Sequence, residues 1–196
     1  PDYTFDNPTV SFNSEESQLM TGTTNGEGDA SVRTRLNVGA TAPGMLLGSF
    51  TTKVYEESGD FSIDAVRLLY SPYQRYVGIH SPQKNRQPLS TDQDHTFQFV
   101  SVDYHGAPIA GSELDISVYK LDWYWWWSAD QSTLANFTSS SYYKPVKQEK
   151  LTTDEAGKAS LALSFDEKNW GTYLILAKDR KSGHTTGVVS YFDWPN

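Results

Sequence analysis

Residues 113–127 have the sequence ELDISVYKLDWYWWW, in which apolar and polar side chains alternate as they do along a β-strand with one buried face. The apolar positions are first even-numbered and then odd-numbered: Leu114, Ile116 and Val118, followed by Leu121, Trp123, Trp125 and Trp127. A strand with a period of two changes its buried face by inserting a residue or by bending. We therefore predict a long strand with a β-bulge or a sharp bend near residues 119–121.

The end of this strand concentrates tryptophan, because four of the six tryptophans of the chain lie in residues 123–127. One interpretation is that Trp123, Trp125 and Trp127 close the end of a packed core, supported by Trp170 and Trp194. The other is an aromatic platform on which sugar rings or a peptide would stack. We favour the core, because soluble proteins rarely leave so large an apolar patch exposed without a partner.

Strand patterns continue on both sides of this stretch, and no window sustains a helical apolar stripe. The predicted strands cover residues 32–38, 50–54, 61–70, 96–104, 113–127, 141–153, 158–165, 172–178 and 185–192. A polar, proline-bounded break at residues 81–88 suggests a domain boundary. The sequence thus predicts an all-β protein of two consecutive antiparallel β-sandwich domains, at residues 1–82 and 83–196, and we expect the first to be truncated at its N-terminus.

Composition narrows the possible partners. The chain has 16 Lys and Arg against 24 Asp and Glu, a formal net charge of −8, and no basic cluster. This balance argues against nucleic acid or an anionic lipid surface as a partner. Cysteine is absent, which excludes disulfides and thiol chemistry within these residues. The first residue is proline rather than methionine, so we expect the chain to be an excised piece of a larger protein.

No sequence pattern in the chain indicates a catalytic site or a metal-binding site. His80, His95, His105 and His184 lie in four separate segments without metal-ligand spacing, and no G-x-S-x-G motif is present. Acidic pairs such as Asp92 and Asp94 lie in loops, where adjacency does not make an acid–base pair and where a calcium site would need more converging oxygens. We therefore predict no catalytic residue, no cofactor and no metal, and we predict that the chain is not an enzyme.

A series of short motifs occurs in a characteristic order. They are FTTKVYEESGDF at 50–61, YSPY at 70–73, YVGI at 76–79, VDYHGAP at 102–108, SSYYKPV at 140–146, TTDEAGKA at 152–159, WGTY at 170–173, DRKSGHTTG at 179–187 and DWP at 193–195. Together they resemble the bacterial alpha-2-macroglobulin family, in the tandem macroglobulin-type domains that precede the bait region and thioester portion. The resemblance covers about three quarters of the chain.

The resemblance implies seven-stranded, fibronectin-like sandwiches and a non-catalytic scaffold role in an endopeptidase inhibitor that traps proteases. It implies partners in the neighbouring domains of the parent chain, and target proteases through the full-length protein. It also implies a place in the cell envelope, the periplasm or outside the cell, with the parent anchored as a lipoprotein. The family's thioester needs a cysteine, so none of its functional residues has a match here. The alternative is a carbohydrate- or peptide-binding β-sandwich module that uses the surface at Trp123–Trp127; a hydrolase ranks last.

Overall fold

The computed structural model describes residues 2–35, 42–85, 87–121, 134 and 144–194. Within them the strands are β1 (Leu46–Tyr55), β2 (Phe61–Tyr70), β3 (Arg75–His80), β4 (Leu89–Ser90), β5 (His95–Asp103), β6 (Glu113–Leu121), β7 (Lys147–Thr152), β8 (Lys158–Leu163), β9 (Gly171–Asp179) and β10 (Thr185–Asp193). A single 3-10 turn, Glu167–Asn169, precedes β9. The prediction of an all-β protein is confirmed.

Two sheets form a β-sandwich. The larger has the strand order β4-β10-β9-β6-β7, and the smaller has the order β3-β5-β8. All of these neighbours are antiparallel except β4 and β10, which run parallel. Alternate apolar residues of both sheets point inward and make one buried core, which includes Val77, Phe97, Phe99, Leu114, Ile116, Ile175 and Phe192. The antiparallel sandwich predicted from the strand patterns is thereby confirmed.

Strand β6 shows no bulge, so that part of the prediction is wrong. Its pairing with β9 runs without a break from Leu114–Asp179 to Leu121–Thr172. The buried positions do change parity after Val118, because Leu121 packs with Leu134 and Leu174 in a second, small apolar cluster. Leu174 belongs to the face of β9 opposite to the main core, so both faces of the sheet are covered at this end. A strand covered on both sides changes its apolar parity without a change in backbone geometry.

Strand β3 lies before the predicted boundary at 82/83, yet it belongs to this sandwich. It pairs with β5 from Arg75–Asp103 to His80–Gln98 and contributes Val77 and Ile79 to the main core. The division at 82/83, like a separate folding unit in the first part of the chain, stays a prediction.

Strands β1 and β2 form a long hairpin, paired from Leu46–Tyr70 to Tyr55–Phe61. Its side chains are largely exposed although many are apolar, and Leu69 is 73% exposed. Residues 11–35 are exposed throughout, and residues 32–35 of the predicted strand 32–38 form no strand; residues 36–38 lie outside the described part. A two-stranded hairpin alone is only marginally stable in water, so this one needs further contacts.

Glycine is required in the turns at Gly106 and Gly157. Gly106 and Gly157 have φ angles of 85° and 72°, in the region that side chains rarely adopt. At Gly157 an added Cβ would also lie 2.8 Å from the carbonyl oxygen of Ser101 and 2.9 Å from the backbone nitrogen of Ile109. This close backbone approach holds the β7–β8 turn against β5.

Candidate functional site

Trp123, Trp125, Trp127, Trp170 and Trp194 are the residues predicted to form a core end or a binding surface. Of these, Trp170 and Trp194 belong to the described residues. Trp170 and Trp194 are 46% and 61% exposed, so neither closes the core as the favoured interpretation required. They flank the paired residues Gly171 and Phe192, and therefore lie at the same end of the larger sheet. Leu121, the last described residue of β6, pairs with Thr172 at that end. Trp123, Trp125 and Trp127 lie outside the described residues, and their role stays a prediction.

Other aromatic residues close the core at this end. The rings of Phe165 and Tyr173 stack with centroids 3.9 Å apart, and Phe192 meets both edge-on, at 4.8 and 5.4 Å. Burial, with a smaller effect of Asp166, raises the pKa of Tyr173 to about 12. These three aromatic rings close the end of the core, as was predicted for the tryptophans. The sequence did not predict this cluster because its members are spread over three segments.

His184 is a fully buried histidine held by two backbone groups. Its Nδ1 accepts a hydrogen bond from the amide of Val77 at 3.0 Å. Nδ1 is therefore unprotonated, and Nε2 carries the proton that it donates to the carbonyl oxygen of Phe5 at 2.8 Å. The rings of Tyr73 and Tyr76 lie edge-on to the imidazole, with centroids at 5.0 and 4.7 Å.

The surroundings keep this imidazole neutral. Burial lowers the pKa of His184 to about 4, although the hydrogen bond to Phe5 and the charge of Asp179 act in the opposite direction. The neighbouring Ser182 Oγ accepts a hydrogen bond from the backbone nitrogen of His184 at 3.2 Å. Both ring nitrogens are already engaged, so the imidazole has no free atom to act as a base toward Ser182.

A buried ion pair connects the two sheets beside His184. Arg75 Nε on β3 lies 3.7 Å from Asp179 Oδ2 at the end of β9. Asp179 Oδ1 accepts from the backbone nitrogens of Lys181 and Ser182 at 3.0 and 2.7 Å, which fixes the β9–β10 turn. Arg75 Nη2 also donates to Ser112 Oγ before β6. These side chains make structural contacts, and no sequence motif predicts those contacts.

The remaining histidines and acidic residues also have structural partners or are exposed. His80 and His95 contact the carbonyl oxygens of Asp2 and Ser90 at 3.0 and 2.8 Å, and His105 is exposed. Asp103 Oδ1 accepts from two backbone amides of its own turn. Among the described residues, no group of three or more His, Asp or Glu side chains is placed to hold a metal ion.

Two concave surfaces among the described residues are small. One, of about 230 Å³, is lined by Pro72, Tyr73, Gln74, Arg75, Lys181 and Ser182. The other, of about 270 Å³, is lined by Tyr3, Gln98, Asp154, Lys158, Ala159 and Ser160. Both fall below the volume of roughly 300–1,000 Å³ typical of small-molecule sites. Within the described part of the chain, no helix has the length and apolar character needed to cross a membrane.

Comparisons with solved structures found several bacterial alpha-2-macroglobulins. The native conformation of E. coli alpha-2-macroglobulin is 15% identical, over 78% of this chain and 10% of that chain, with a TM-score of 0.46. Salmonella alpha-2-macroglobulin reacted with methylamine is 14% identical, over 77% and 10%, with a TM-score of 0.46. E. coli alpha-2-macroglobulin activated by porcine elastase is 17% identical, over 78% and 13%, with a TM-score of 0.38. The chain therefore spans about a tenth of the length of these relatives.

A search of curated proteins gave no match. The model of the family "Bacterial macroglobulin domain 6" matches residues 78–194, which is more than half of the chain and coincides with the sandwich from β3 to β10. The chain thus belongs to the bacterial alpha-2-macroglobulin family and carries its macroglobulin domain 6.

Proposed function

We propose that this chain is a non-catalytic scaffold segment of a protease trap. The observation that carries the proposal is the macroglobulin-domain match over residues 78–194. Among the described residues, the side chains of Arg75, Asp179 and His184 form an ion pair and hydrogen bonds that hold the sandwich together. A segment of this kind sets the distance and the angle between the bait region and the other domains of the larger molecule.

Rigidity is the property that a scaffold needs, and the contacts between the sheets supply it. The ion pair of Arg75 with Asp179 and the hydrogen bond of Val77 to His184 both join β3 to the β9–β10 end of the larger sheet. They lie beside a continuous apolar core that resists shear between the sheets. Buried polar contacts have directional geometry, so they fix the relative position of the sheets more narrowly than apolar packing alone.

The hairpin β1–β2 supports a place next to other domains of the parent chain. Phe61, Ile63 and Leu69 share one face of β2 and are 55%, 55% and 73% exposed. Contiguous exposed apolar side chains are typical of an interface. We propose neighbouring domains as its partners and target proteases as partners of the full-length protein only. We further propose a location in the cell envelope, the periplasm or outside the cell, with a parent anchored as a lipoprotein.

The test uses the full-length parent with an added endopeptidase. Phe97→Ala removes a fully buried ring and should reduce trapping, measured as the fraction of protease that loses activity on a large protein substrate. Cleavage of the bait region by the protease should be unchanged, because the scaffold segment takes no part in that reaction. Val189→Ala on the partly exposed side of β10 is the matched control and should trap normally. Proteolytic or inhibitory activity of this chain alone would contradict the scaffold proposal.

A second candidate is a carbohydrate- or peptide-binding module, and the exposure of Trp170 and Trp194 at one end of the sheet favours it. Stacking on tryptophan quenches or shifts its fluorescence. Titration with soluble polysaccharides should then give a saturable change that Trp170→Ala and Trp194→Ala remove. An unchanged spectrum across neutral, acidic and amino-sugar polymers would eliminate the carbohydrate form of this candidate.

A further inference from the structure

Residues 25–29, here called the Asn25 turn, form a tight turn in an exposed segment of the chain. The amide of Asn25 donates to the carbonyl oxygen of Asp29 at 2.9 Å, and the amide of Gly28 donates to the carbonyl oxygen of Asn25 at 3.0 Å. The side-chain oxygen Oδ1 of Asn25 accepts from the amides of Glu27 and Asp29, at 3.0 and 2.8 Å. The carboxamide of Asn25 is therefore folded forward over its own turn, as in an Asx-turn.

The residue that follows Asn25 makes this turn chemically distinct. Gly26 is exposed, and a Cβ atom added to it would have no heavy atom within 4 Å. No hydrogen bond among the described residues engages the Gly26 amide or Nδ2 of Asn25. Without a side chain on Gly26, its nitrogen can approach Cγ of Asn25. The two amides that donate to Oδ1 would stabilise the negative charge that develops on this oxygen when Cγ is attacked.

Two other turns of the protein show that aspartate fits the same geometry. Asp103 Oδ1 accepts from two backbone amides of its own turn, both at 2.9 Å. Asp154 Oδ1 does the same, at 2.9 and 2.8 Å. The glycines at the fourth position of these turns have φ angles of 85° and 72°, and Gly28 has 88°. Aspartate at position 25 would therefore keep the turn, and its charge would strengthen both hydrogen bonds.

We propose that Asn25 is a site of spontaneous deamidation. The Gly26 nitrogen loses its proton to the solvent and attacks Cγ of Asn25, forming a new C–N bond. The bond from Cγ to Nδ2 breaks, and the amine takes a proton from water and leaves as ammonia. Water then opens the cyclic succinimide: hydrolysis at Cγ gives aspartate, and hydrolysis at the main-chain carbonyl carbon gives isoaspartate. This inference goes beyond the scaffold role and does not depend on it.

The two products have opposite effects on the turn. Aspartate keeps every hydrogen bond of the turn and adds a negative charge to the exposed segment. Isoaspartate inserts a methylene group into the main chain, so the bonds of residue 25 with Gly28 and Asp29 lose their geometry. Deamidation at this position therefore either charges the turn or opens it.

The test is incubation of the full chain in mildly alkaline buffer, followed by peptide mapping with mass spectrometry. Asn13 is an internal control, because it is also exposed but is followed by serine, and it should change well after Asn25. A synthetic peptide of residues 23–30, TTNGEGDA, is incubated in parallel as the reference for an unstructured chain. Asn25 in the folded chain should react within about tenfold of the peptide rate. A slower reaction would mean that the turn protects Asn25, and the inference would be wrong.

The variant Gly26→Ala separates the chemistry from the fold. The space around Gly26 is open and its φ lies outside the left-handed region, so the turn should persist, with the Asp29 amide equally protected from hydrogen exchange. The added methyl group hinders the approach of the nitrogen and should slow deamidation about tenfold or more. The unmodified chain should give both aspartate and isoaspartate, which enzymatic methylation of isoaspartate distinguishes. Aspartate alone, or an unchanged rate in Gly26→Ala, would indicate direct hydrolysis and overturn the proposed route.

Discussion

Mild acid should destabilise this protein through His184. The imidazole is neutral in the folded protein, with a pKa of about 4, whereas an unfolded histidine has a pKa near 6.5. Between these two values the unfolded chain binds one more proton than the folded chain, so stability falls as the pH falls. The contribution is complete above about pH 6.5 and is lost toward pH 4. Integrating the difference gives a loss of about 2 kcal/mol between pH 7 and pH 5, and about 3 kcal/mol by pH 4.

The substitution His184→Asn isolates this effect. An asparagine oxygen can replace Nδ1 as the acceptor for the Val77 amide, but its shorter side chain does not reach the Phe5 carbonyl. The variant should lose about 1 kcal/mol at pH 7 for the missing hydrogen bond, and more if the void is not filled. Unlike the imidazole that it replaces, the asparagine side chain does not titrate, so the drop between pH 7 and pH 5 should shrink by about 2 kcal/mol. His105→Asn, at an exposed histidine, is the control and should keep the full drop.

The assay is urea unfolding at pH 7, 6 and 5, followed by fluorescence, with the free energy of unfolding obtained by linear extrapolation. Carboxylates remain largely ionised down to pH 5, so the comparison of variants reports mainly on the histidine. Equal losses for the unmodified chain and His184→Asn would refute the reasoning, because His184 would then titrate alike in both states. An NMR titration of the imidazole gives the same pKa directly.

Five further substitutions test the described packing, each measured by thermal or urea unfolding. Gly157→Ala should cost at least about 2 kcal/mol, against about 1 kcal/mol for Gly106→Ala, because only at Gly157 would the new Cβ meet backbone atoms. Equal costs would contradict that close approach. Trp170→Ala should change stability by less than about 0.5 kcal/mol, whereas Phe192→Ala should cost about 3–5 kcal/mol. A reversal would place the tryptophan in the core. Asp179→Ala should cost about 3–5 kcal/mol, since it leaves Arg75 without its buried partner, and a neutral result would show that water solvates the guanidinium.

The fold was largely predictable because it depends on local alternation. The first part of β6 has apolar residues at every second position, Leu114, Ile116 and Val118, and this pattern alone sets which face is buried. The bulge in β6 was wrongly predicted, because the sequence does not show that Leu121 packs against Leu174 on the outer face. Period-two analysis assumes one covered face, and it fails where a second layer covers the other.

The candidate site was less predictable because its parts are distant in sequence. His184 binds Val77 and Phe5, which are 107 and 179 positions away. Nothing local marks these partners, since each contributes only a backbone group. The tryptophans were conspicuous in sequence, yet Trp170 and Trp194 are exposed and the buried aromatic residues at this end are the less conspicuous Tyr173 and Phe192. Residue type predicts burial only on average, while the register of the strand decides each case.

The N-terminal residues Thr4 and Phe5 tie the first part of the chain to both sheets of the sandwich. Thr4 exchanges two backbone hydrogen bonds with Ile79 of β3, and the carbonyl oxygens of Phe5 and Thr4 accept from His184 and Thr186 at the β9–β10 end. A displacement of these two residues would therefore break bonds to both sheets at once. It would also leave two buried donors, His184 Nε2 and Thr186 Oγ1, with fewer acceptors, and unsatisfied buried donors destabilise the folded state. The stability of the sandwich is for this reason linked to the position of Thr4 and Phe5.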